Sequence, residues 1–194
     1  MFDLAQWTEA LAVISGLEWF AAGIGVLAVW LTARQNIWCW PIGLVMVLLY
    51  TWIFFSAKLY ANMALQLVFA GAQIYGWWHW RSQAESISPK HLSVNGVVLG
   101  MCAGILGSVL IGFFLKAYTD ASAPWWDASL TAFSLVAQFW MARKFIQCWP
   151  LWVVIDVLYV WLFIQQALPA TAILYGIFTL LAVHGWRSWR HAAQ

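Results

Sequence analysis

One acidic side chain lies in the middle of a long apolar segment. Asp156 is the only charged residue between 149 and 166, and a charge at the centre of a membrane helix costs roughly 2.5–3.5 kcal/mol. Helical spacing places four aromatic residues on the same stripe: Trp149, Trp152, Tyr159 and Phe163. Aromatic faces attract cations and a carboxylate neutralises them, so the pattern favours binding of a flat organic cation. The alternative is a protonated or hydrogen-bonded Asp156 that fixes the helix bundle.

A second polar pattern follows one face of the preceding apolar segment. Asp127, Thr131, Ser134 and Gln138 recur at spacings of four, three and four residues, on one side of a helix. Hydrogen bonding between helices is the alternative role for Thr131 and Ser134. Asp127 lies near the outer end of the segment beside Trp126. These two residues are interpreted either as an entrance for a solute or as an interfacial anchor.

Side-chain amides form a third candidate group. Asn62, Gln66 and Gln73 share a face of one predicted helix and offer hydrogen-bond donors and acceptors at different depths. Gln73 is the deepest, whereas Asn62 and Gln66 lie nearer the outer surface, where bonds to neighbouring helices are an equal alternative. The predicted substrate-binding residues are therefore Asn62, Gln66, Gln73, Gln138, Trp149, Trp152, Asp156 and Tyr159.

The composition places these residues in a membrane protein. The chain of 194 residues is 64% hydrophobic and 8% charged, with a mean hydropathy of +0.79. Those values exclude a water-soluble surface of ordinary polarity, and the apolar runs are long enough to cross a bilayer. We predict an all-α polytopic membrane protein with seven transmembrane helices, at about 11–31, 38–55, 60–79, 94–115, 126–142, 149–166 and 169–187.

The chain contains an internal duplication. Residues 18–81 align with residues 127–190 at a constant offset without a gap, and Glu18 falls opposite Asp127. Shared hydrophobicity would not align arginine, proline and glycine together. The matched pairs include Arg34/Arg143, Cys39/Cys148, Trp40/Trp149, Pro41/Pro150, Tyr50/Tyr159, Gly76/Gly185, Trp80/Trp189 and Arg81/Arg190. Internal repeats are typical of secondary transporters, whose substrate sites lie near mid-membrane between the repeats.

Each copy holds three predicted spans, and the glycine-rich span Val94–Leu115 between them has no counterpart. A block of three spans reverses its direction unless one further span intervenes, so we predict a 3+1+3 arrangement with parallel repeats. The predicted units are 1–81 for the first three-helix bundle, 82–120 for a loop and the connecting helix, and 121–194 for the second bundle. Glu18, as the repeat mate of Asp127, shares its interpretation as an entrance residue.

The positions of lysine and arginine predict the orientation. Lys58 and Lys116 fall at one side of the membrane, and the remaining seven basic residues fall at the other: Arg34, Arg81, Lys90, Arg143, Lys144, Arg187 and Arg190. The excess of basic residues marks the cytoplasmic side, so the N-terminus is predicted outside and the C-terminus in the cytoplasm. We expect no cleaved signal peptide in the first 17 residues, which lack a basic start and a clear cleavage site.

Several other functions are disfavoured by what the sequence lacks. The three cysteines have no CxxC spacing, and the four histidines have no metal-ligand spacing, so we expect no metal and no cofactor. No Gly-Lys-Ser/Thr phosphate loop points to an ATP-driven pump, and the net charge of +2 reflects membrane topology and does not indicate nucleic-acid binding. An intramembrane enzyme would need a second deep reactive group beside Asp156, so no enzyme is predicted.

Three stretches of sequence resemble the PnuC family of vitamin transporters. They are Arg34-Gln-Asn-Ile-Trp-Cys-Trp-Pro-Ile-Gly43, Lys58-Leu-Tyr-Ala-Asn62 and Tyr75-Gly-Trp-Trp-His-Trp80. The second half is similar to the later signature of the family, and the resemblance spans nearly the whole chain. Its residues are Trp126, Asp127, Arg143, Lys144, Trp149, Trp152 and Asp156.

The resemblance implies a SWEET-like 3+1+3 transporter in a bacterial inner membrane, and it allows a homotrimer. It implies facilitated diffusion of nicotinamide riboside, a cationic vitamin, into the cytoplasm, where a kinase traps it by phosphorylation. Thiamine is the first alternative, since it is also a flat cation and relatives handle thiamine, riboflavin or deoxynucleosides. Proton-coupled uptake through Asp156 and a receptor that binds without transport are the further alternatives.

Overall fold

The computed structural model describes residues 16–56, 60–82, 88–119, 123–165 and 169–193, and almost all of them are helical. The prediction of an all-α fold is confirmed. The helices are α1 (Gly16–Ala33), α2 (Cys39–Ser56), α3 (Tyr60–Ser82), α4 (Val94–Tyr118), α5 (Pro124–Ala142), α6 (Cys148–Gln165) and α7 (Pro169–Ala192). Within these ranges the one pairing of β type is an isolated bridge between Lys90 and Phe145.

Each predicted span coincides with one helix, and the ends differ by a few residues. α3 and α7 run past their predicted inner ends, to Ser82 and Ala192, because their tryptophan, histidine and arginine residues continue the helix into the interfacial region. Residues 11–15 of the first predicted span lie outside the described residues. By length and apolar composition, α4 and α6 each qualify as membrane-spanning helices. The apolar parts of α1 and α2 are shorter, Trp19–Ala33 and Cys39–Ile53.

The helices pack as two corresponding groups of three, which follow the sequence repeat. In the first group α1 packs on α2 and α2 on α3, and in the second α5 packs on α6 and α6 on α7. Two contacts join the groups, α1 with α7 and α3 with α5. Each joins the first helix of one group to the last helix of the other. The contacts therefore repeat by an approximate two-fold rotation, as expected for parallel repeats.

A tryptophan packed on a glycine fixes the second helix of each group against the third. Trp40 of α2 lies directly over Gly76 of α3, where a methyl group would overlap the indole ring. Trp149 of α6 lies in the same way over Gly185 of α7, where an added Cβ would be 2.6 Å from Cη2 of the indole. Both tryptophans are buried. Only glycine allows the helix backbone to approach an indole ring this closely.

α4 packs against α5 through its glycines. Gly104 faces the ring of Phe133, and Gly112 faces the ring of Trp125. Because these glycines expose helix backbone, the aromatic side chains of α5 lie in a groove along α4. The opposite face of α4 exposes leucine, isoleucine and phenylalanine side chains, as suits a helix in contact with lipid.

Candidate functional site

Asp156 is buried in the middle of α6. Its side chain is 4% exposed, and it lies eight residues beyond Cys148, about 12 Å along the helix axis from that end. Among the described residues, no side chain forms a hydrogen bond or an ion pair with its carboxyl group. A buried carboxyl group without a partner is unfavourable in a folded core. Its position at mid-membrane and its lack of a partner are the features expected of a ligand-binding group.

An aromatic cluster lies one turn beyond Asp156, between α6 and α7. The ring centroids of Tyr159 and Tyr175 are 4.6 Å apart, and those of Phe163 and Tyr175 are 5.3 Å apart. Tyr175 lies within electrostatic range of Asp156 and of Tyr50 on α2. Tyr175 therefore lies between the buried carboxyl group and Tyr50 of the first three-helix group.

The predicted polar face of α5 points toward the same region. Ser134 is 3% exposed, and its side chain lies near the hydroxyl group of Tyr159. Ser134 lies eight residues before the end of α5, so its depth matches that of Asp156. Gln138 is 7% exposed, and its side-chain amide has no hydrogen-bond partner within the described ranges. Thr131 is half-buried.

The glutamines of α3 are half-buried. Gln73 packs against Gly43 of α2, and a Cβ added to Gly43 would lie 2.7 Å from Nε2 of the Gln73 amide. Gln66 lies about two turns nearer the outer end of the helix. The side chains of two further predicted residues, Asn62 and Glu18, lie outside the described residues.

Three indole groups on α5 and α6, those of Trp126, Trp149 and Trp152, have a buried Nε1 without an acceptor among the described residues. The ring of Trp126 packs edge-on against Trp161, with centroids 5.5 Å apart. Asp127 beside it is half-buried in the first turn of α5. Buried indole N–H groups usually find a partner, so the donors of Trp126 and Trp152 are available to an oxygen atom of a ligand.

Trp149 lies away from the group around Asp156. Its ring packs edge-on against Trp189 with centroids 5.3 Å apart, in a buried cluster at the end of the bundle that holds most of the basic residues, which is the predicted inner end. The sequence stripe placed Trp149 beside Asp156, although the two residues are seven positions apart. Two helical turns separate their depths by about 10 Å, so the structure assigns the side chain to the packing of the inner end.

Hydrogen bonds join the two groups at this predicted inner end. Nε1 of Trp80 donates to the carbonyl oxygen of Ala142 at 2.9 Å. Nζ of Lys144 donates to Oε1 of Gln35 at 3.4 Å. Lys144 and Gln35 are repeat mates, 109 positions apart, so their bond lies on the approximate two-fold axis. Both residues have a φ of 55°.

Lys144 is further held by the aromatic surface of the inner end. Its ammonium nitrogen lies 4.5 Å from the centroid of Trp80. Desolvation lowers the pKa of this ammonium group, and the nearby Cys39 thiol opposes that shift. A cation over an indole face stabilises a desolvated contact of this kind, so the interaction contributes to closure of the inner end.

Sequence reasoning missed Tyr175 as a neighbour of Asp156, and it missed Tyr50 as a neighbour of Tyr175. Tyr175 has Gln66 as its repeat mate, so the duplication did not draw attention to it. Tyr50 was visible as the repeat mate of Tyr159. The repeat therefore offered a signal for Tyr50, because its repeat mate Tyr159 was already a predicted site residue.

Comparison with known proteins identifies what this arrangement resembles. A family model described as nicotinamide mononucleotide transporter matches residues 15–191. The nicotinamide riboside transporter PnuC of Escherichia coli (strain K12) is 31% identical over 221 aligned residues, covering 100% of this chain and 88% of that protein. The riboflavin/roseoflavin transporter RibM of Streptomyces davaonensis is 25% identical over 189 residues, covering 94% and 84% respectively.

A solved structure has the same fold. The crystal structure of the vitamin B3 transporter PnuC superposes on this chain with a TM-score of 0.76 and 25% sequence identity. The match covers 97% of this chain and 88% of the other. It confirms the predicted polytopic membrane fold.

Proposed function

The chain belongs to the nicotinamide mononucleotide transporter family and is a vitamin transporter of the PnuC type, and we propose that it moves nicotinamide riboside by facilitated diffusion. Family membership confirms the predictions of a transporter and of a protein that is not an enzyme. The observation that supports a cationic substrate is the carboxyl group of Asp156, which is buried in the middle of α6 without a hydrogen-bond or ion-pair partner among the described residues.

Nicotinamide riboside matches the chemistry of the groups around Asp156. Its pyridinium ring is a flat cation, so the carboxylate neutralises its charge, and the ring faces of Tyr159 and Tyr175 attract it. Its carboxamide and ribose hydroxyl groups need hydrogen-bond partners. Gln73 and Gln138 offer amide donors and acceptors for them. Ser134, at the depth of Asp156, lies near the hydroxyl group of Tyr159 and gives it a polar neighbour.

The remaining predicted residues have different proposed roles. Trp152, whose buried indole N–H has no acceptor among the described residues, donates it to an oxygen atom of the substrate. Trp126 and Asp127 form the outer entrance, together with Glu18. Gln66 and Asn62 contact the substrate on its way from that entrance to Asp156.

Charge discriminates among the vitamins that relatives are named for. Riboflavin is neutral and gains nothing from a buried carboxylate. A mononucleotide adds a phosphate group, which the negative charge of Asp156 repels. No lysine or arginine belongs to the described group around Asp156 to offset this repulsion. Thiamine is the second candidate because it is also a flat aromatic cation.

The proposed mechanism is a rocking motion of the two three-helix groups about the site. The inner end is closed by the Trp80 bond to Ala142 and by the Lys144 bond to Gln35. These bonds join the two groups, so they must break when the site opens to the cytoplasm. No ATP-binding motif is present in the sequence, so a cytoplasmic kinase that consumes the free vitamin drives net uptake.

The proposed location is a bacterial inner membrane, with the N-terminus outside and the C-terminus in the cytoplasm. Seven of the nine lysine and arginine residues fall at the α7 C-terminal side, and that excess marks the cytoplasmic face. Under this orientation the Trp80 and Lys144 contacts form an inner gate.

Counterflow in proteoliposomes tests the proposal. Vesicles loaded with unlabelled nicotinamide riboside, without ATP or an ion gradient, should accumulate labelled nicotinamide riboside only when they contain the protein. Labelled thiamine and riboflavin are run in parallel. Exchange of thiamine alone would assign the second candidate, and a requirement for a pH gradient would replace uniport with proton coupling.

A further inference from the structure

A groove lies at the basic end of the bundle, between the segment before α4, the α5–α6 loop and the last turns of α7. Its volume is about 250 Å³, and its lining residues are His91, Ile146, Gln147, Pro150, Trp186 and Arg190. It is separate from the group around Asp156, because Pro150 lies in the first turn of α6 and Asp156 lies six residues further along the helix, about 9 Å deeper.

The wall of the groove is held in place by backbone pairing. The amide of Lys90 donates to the carbonyl of Lys144 at 3.0 Å, and the amide of Ile146 donates back to the carbonyl of Lys90 at 3.1 Å. The amide of Leu92 donates to Oε1 of Gln147 at 2.9 Å, and Nε2 of Gln147 donates to the carbonyl of Leu92 at 3.3 Å. The segment before α4 is therefore fixed to the α5–α6 loop.

The groove combines an apolar floor with a basic rim. Pro150 and the face of Trp186 supply the apolar surface above the buried Ile146, and the groove has no acidic residue in its lining. The guanidinium group of Arg190 lies 5.8 Å from the centroid of Trp186. The imidazole of His91 adds a second nitrogen-bearing side chain to the rim. This combination complements a molecule with an anionic head and an apolar tail.

The groove also lies where such a molecule is abundant. The last turns of α7, with the exposed Trp186 followed by Arg187 and Arg190, mark the boundary between hydrocarbon and head groups. An acyl chain can therefore pass from the lipid phase over Pro150 while its phosphate group stays at the level of Arg190. We propose that this groove binds one anionic phospholipid, through its phosphodiester head group at Arg190 and the first part of its acyl chain on the apolar floor.

The duplication supplies an internal control. In the first three-helix group the repeat mates of Arg190, Trp186 and Pro150 are Arg81, Trp77 and Pro41. That group lacks a copy of the segment before α4, because the segment lies between the two repeats. Trp38 stands at the position of Gln147. The first group therefore has the basic residue and the tryptophan without the wall that makes the groove.

Native mass spectrometry of the purified full-length chain in detergent tests the proposal. The protein is titrated with phosphatidylglycerol, with phosphatidylcholine, with the acyl-free head group glycerophosphoglycerol, and with inorganic phosphate. We expect retention of one phosphatidylglycerol molecule in preference to the other three. Arg190→Gln should weaken that retention about five-fold, the effect of about one basic residue near an anionic lipid.

Matched variants decide between this groove and general surface charge. Arg81→Gln should leave phosphatidylglycerol retention unchanged, and Arg190→Lys should preserve most of it. Arg190 is exposed, so thermal unfolding of its variants should match that of the wild type. Equal losses for Arg81→Gln and Arg190→Gln would overturn the proposal. So would equal retention of phosphatidylcholine, or saturation by inorganic phosphate alone.

Discussion

At their inner ends the two three-helix groups are built alike, and the same residue types make corresponding contacts. Trp80 of the first group donates its indole N–H to the carbonyl of Ala142 in the second. Trp189 of the second group donates in return to the carbonyl of Thr32 in the first, at 3.2 Å. The helix contacts at this end therefore repeat across the approximate two-fold axis.

At mid-membrane the same two groups differ. The second group has polar side chains where the first has glycine or valine. These polar residues and their repeat mates are Asp156 and Val47, Ser134 and Gly25, and Gln138 and Val29. The first group contributes Gln73 over Gly43, whereas the second has Ala182 and Trp152 at the matching positions. A symmetric scaffold thus surrounds an asymmetric site, as suits a substrate that has no two-fold symmetry.

The largest expected effect comes from removing the charge of Asp156, which the first group lacks because Val47 is at the matching position. Asp156→Asn should weaken the apparent affinity for nicotinamide riboside about 100-fold, within the roughly 2–5 kcal/mol that truncating a buried charge pair costs. Counterflow at varied substrate concentration measures it. Asp127→Asn is the matched control, and because that group is near the outer end it should change affinity less than about threefold. Equal losses of affinity for Asp156→Asn and Asp127→Asn would contradict the assignment of the charge-binding role to Asp156.

The second effect tests whether the scaffold is symmetric. Gly76→Ala and Gly185→Ala each place a methyl group against a buried tryptophan, so each should destabilise the fold by about 1–3 kcal/mol. Thermal unfolding in detergent measures both. Gly71→Ala and Gly176→Ala are controls on the same two helices, because an added Cβ there meets nothing within 4 Å. If only one of Gly76→Ala and Gly185→Ala lowered the thermal stability, the two groups would not depend on the same tryptophan–glycine packing.

A cross-link between positions 35 and 144, which are in contact on the two-fold axis, should stop the proposed rocking motion. The variant has Gln35→Cys and Lys144→Cys in a background without the three native cysteines. A short bis-thiosulfonate reagent should abolish counterflow in this variant, because opening the inner end separates the two groups. Reductant should restore transport, and each single-cysteine variant should remain active after treatment. Full transport by the cross-linked protein would show that the inner end does not open there.

The smallest expected effect on affinity concerns the side-chain amide of Gln73 in the first group. Gly43→Ala would crowd the amide of Gln73 and should weaken nicotinamide riboside binding about five-fold, with a coupling energy near 1 kcal/mol to Gln73→Ala. In the Gln73→Ala background the same Gly43→Ala change should have no further effect. A double-mutant cycle on binding affinity measures this coupling, and additive losses would remove Gln73 from the site.

The sequence predicted the helices and the repeat because both depend on patterns along the chain. Long apolar runs fixed the seven spans, and the constant offset linked Trp40 to Trp149 and Gly76 to Gly185. It identified Asp156 because a charge within an apolar run is conspicuous. Contacts between helices were harder to predict. Tyr175 approaches Asp156 from α7, and Trp149 turns toward Trp189, through packing that periodicity along one helix does not encode.

The most direct test of an asymmetric, charge-selective site compares nicotinamide riboside with its reduced form, which has nearly the same shape and no ring charge. Dissociation constants of both are measured by calorimetry for the wild type and for Asp156→Asn. The wild type should prefer the cation by at least about tenfold, since a desolvated charge contact is worth more than 1.4 kcal/mol, and Asp156→Asn should bring the ratio close to one. An unchanged ratio in the variant would contradict the role assigned to Asp156.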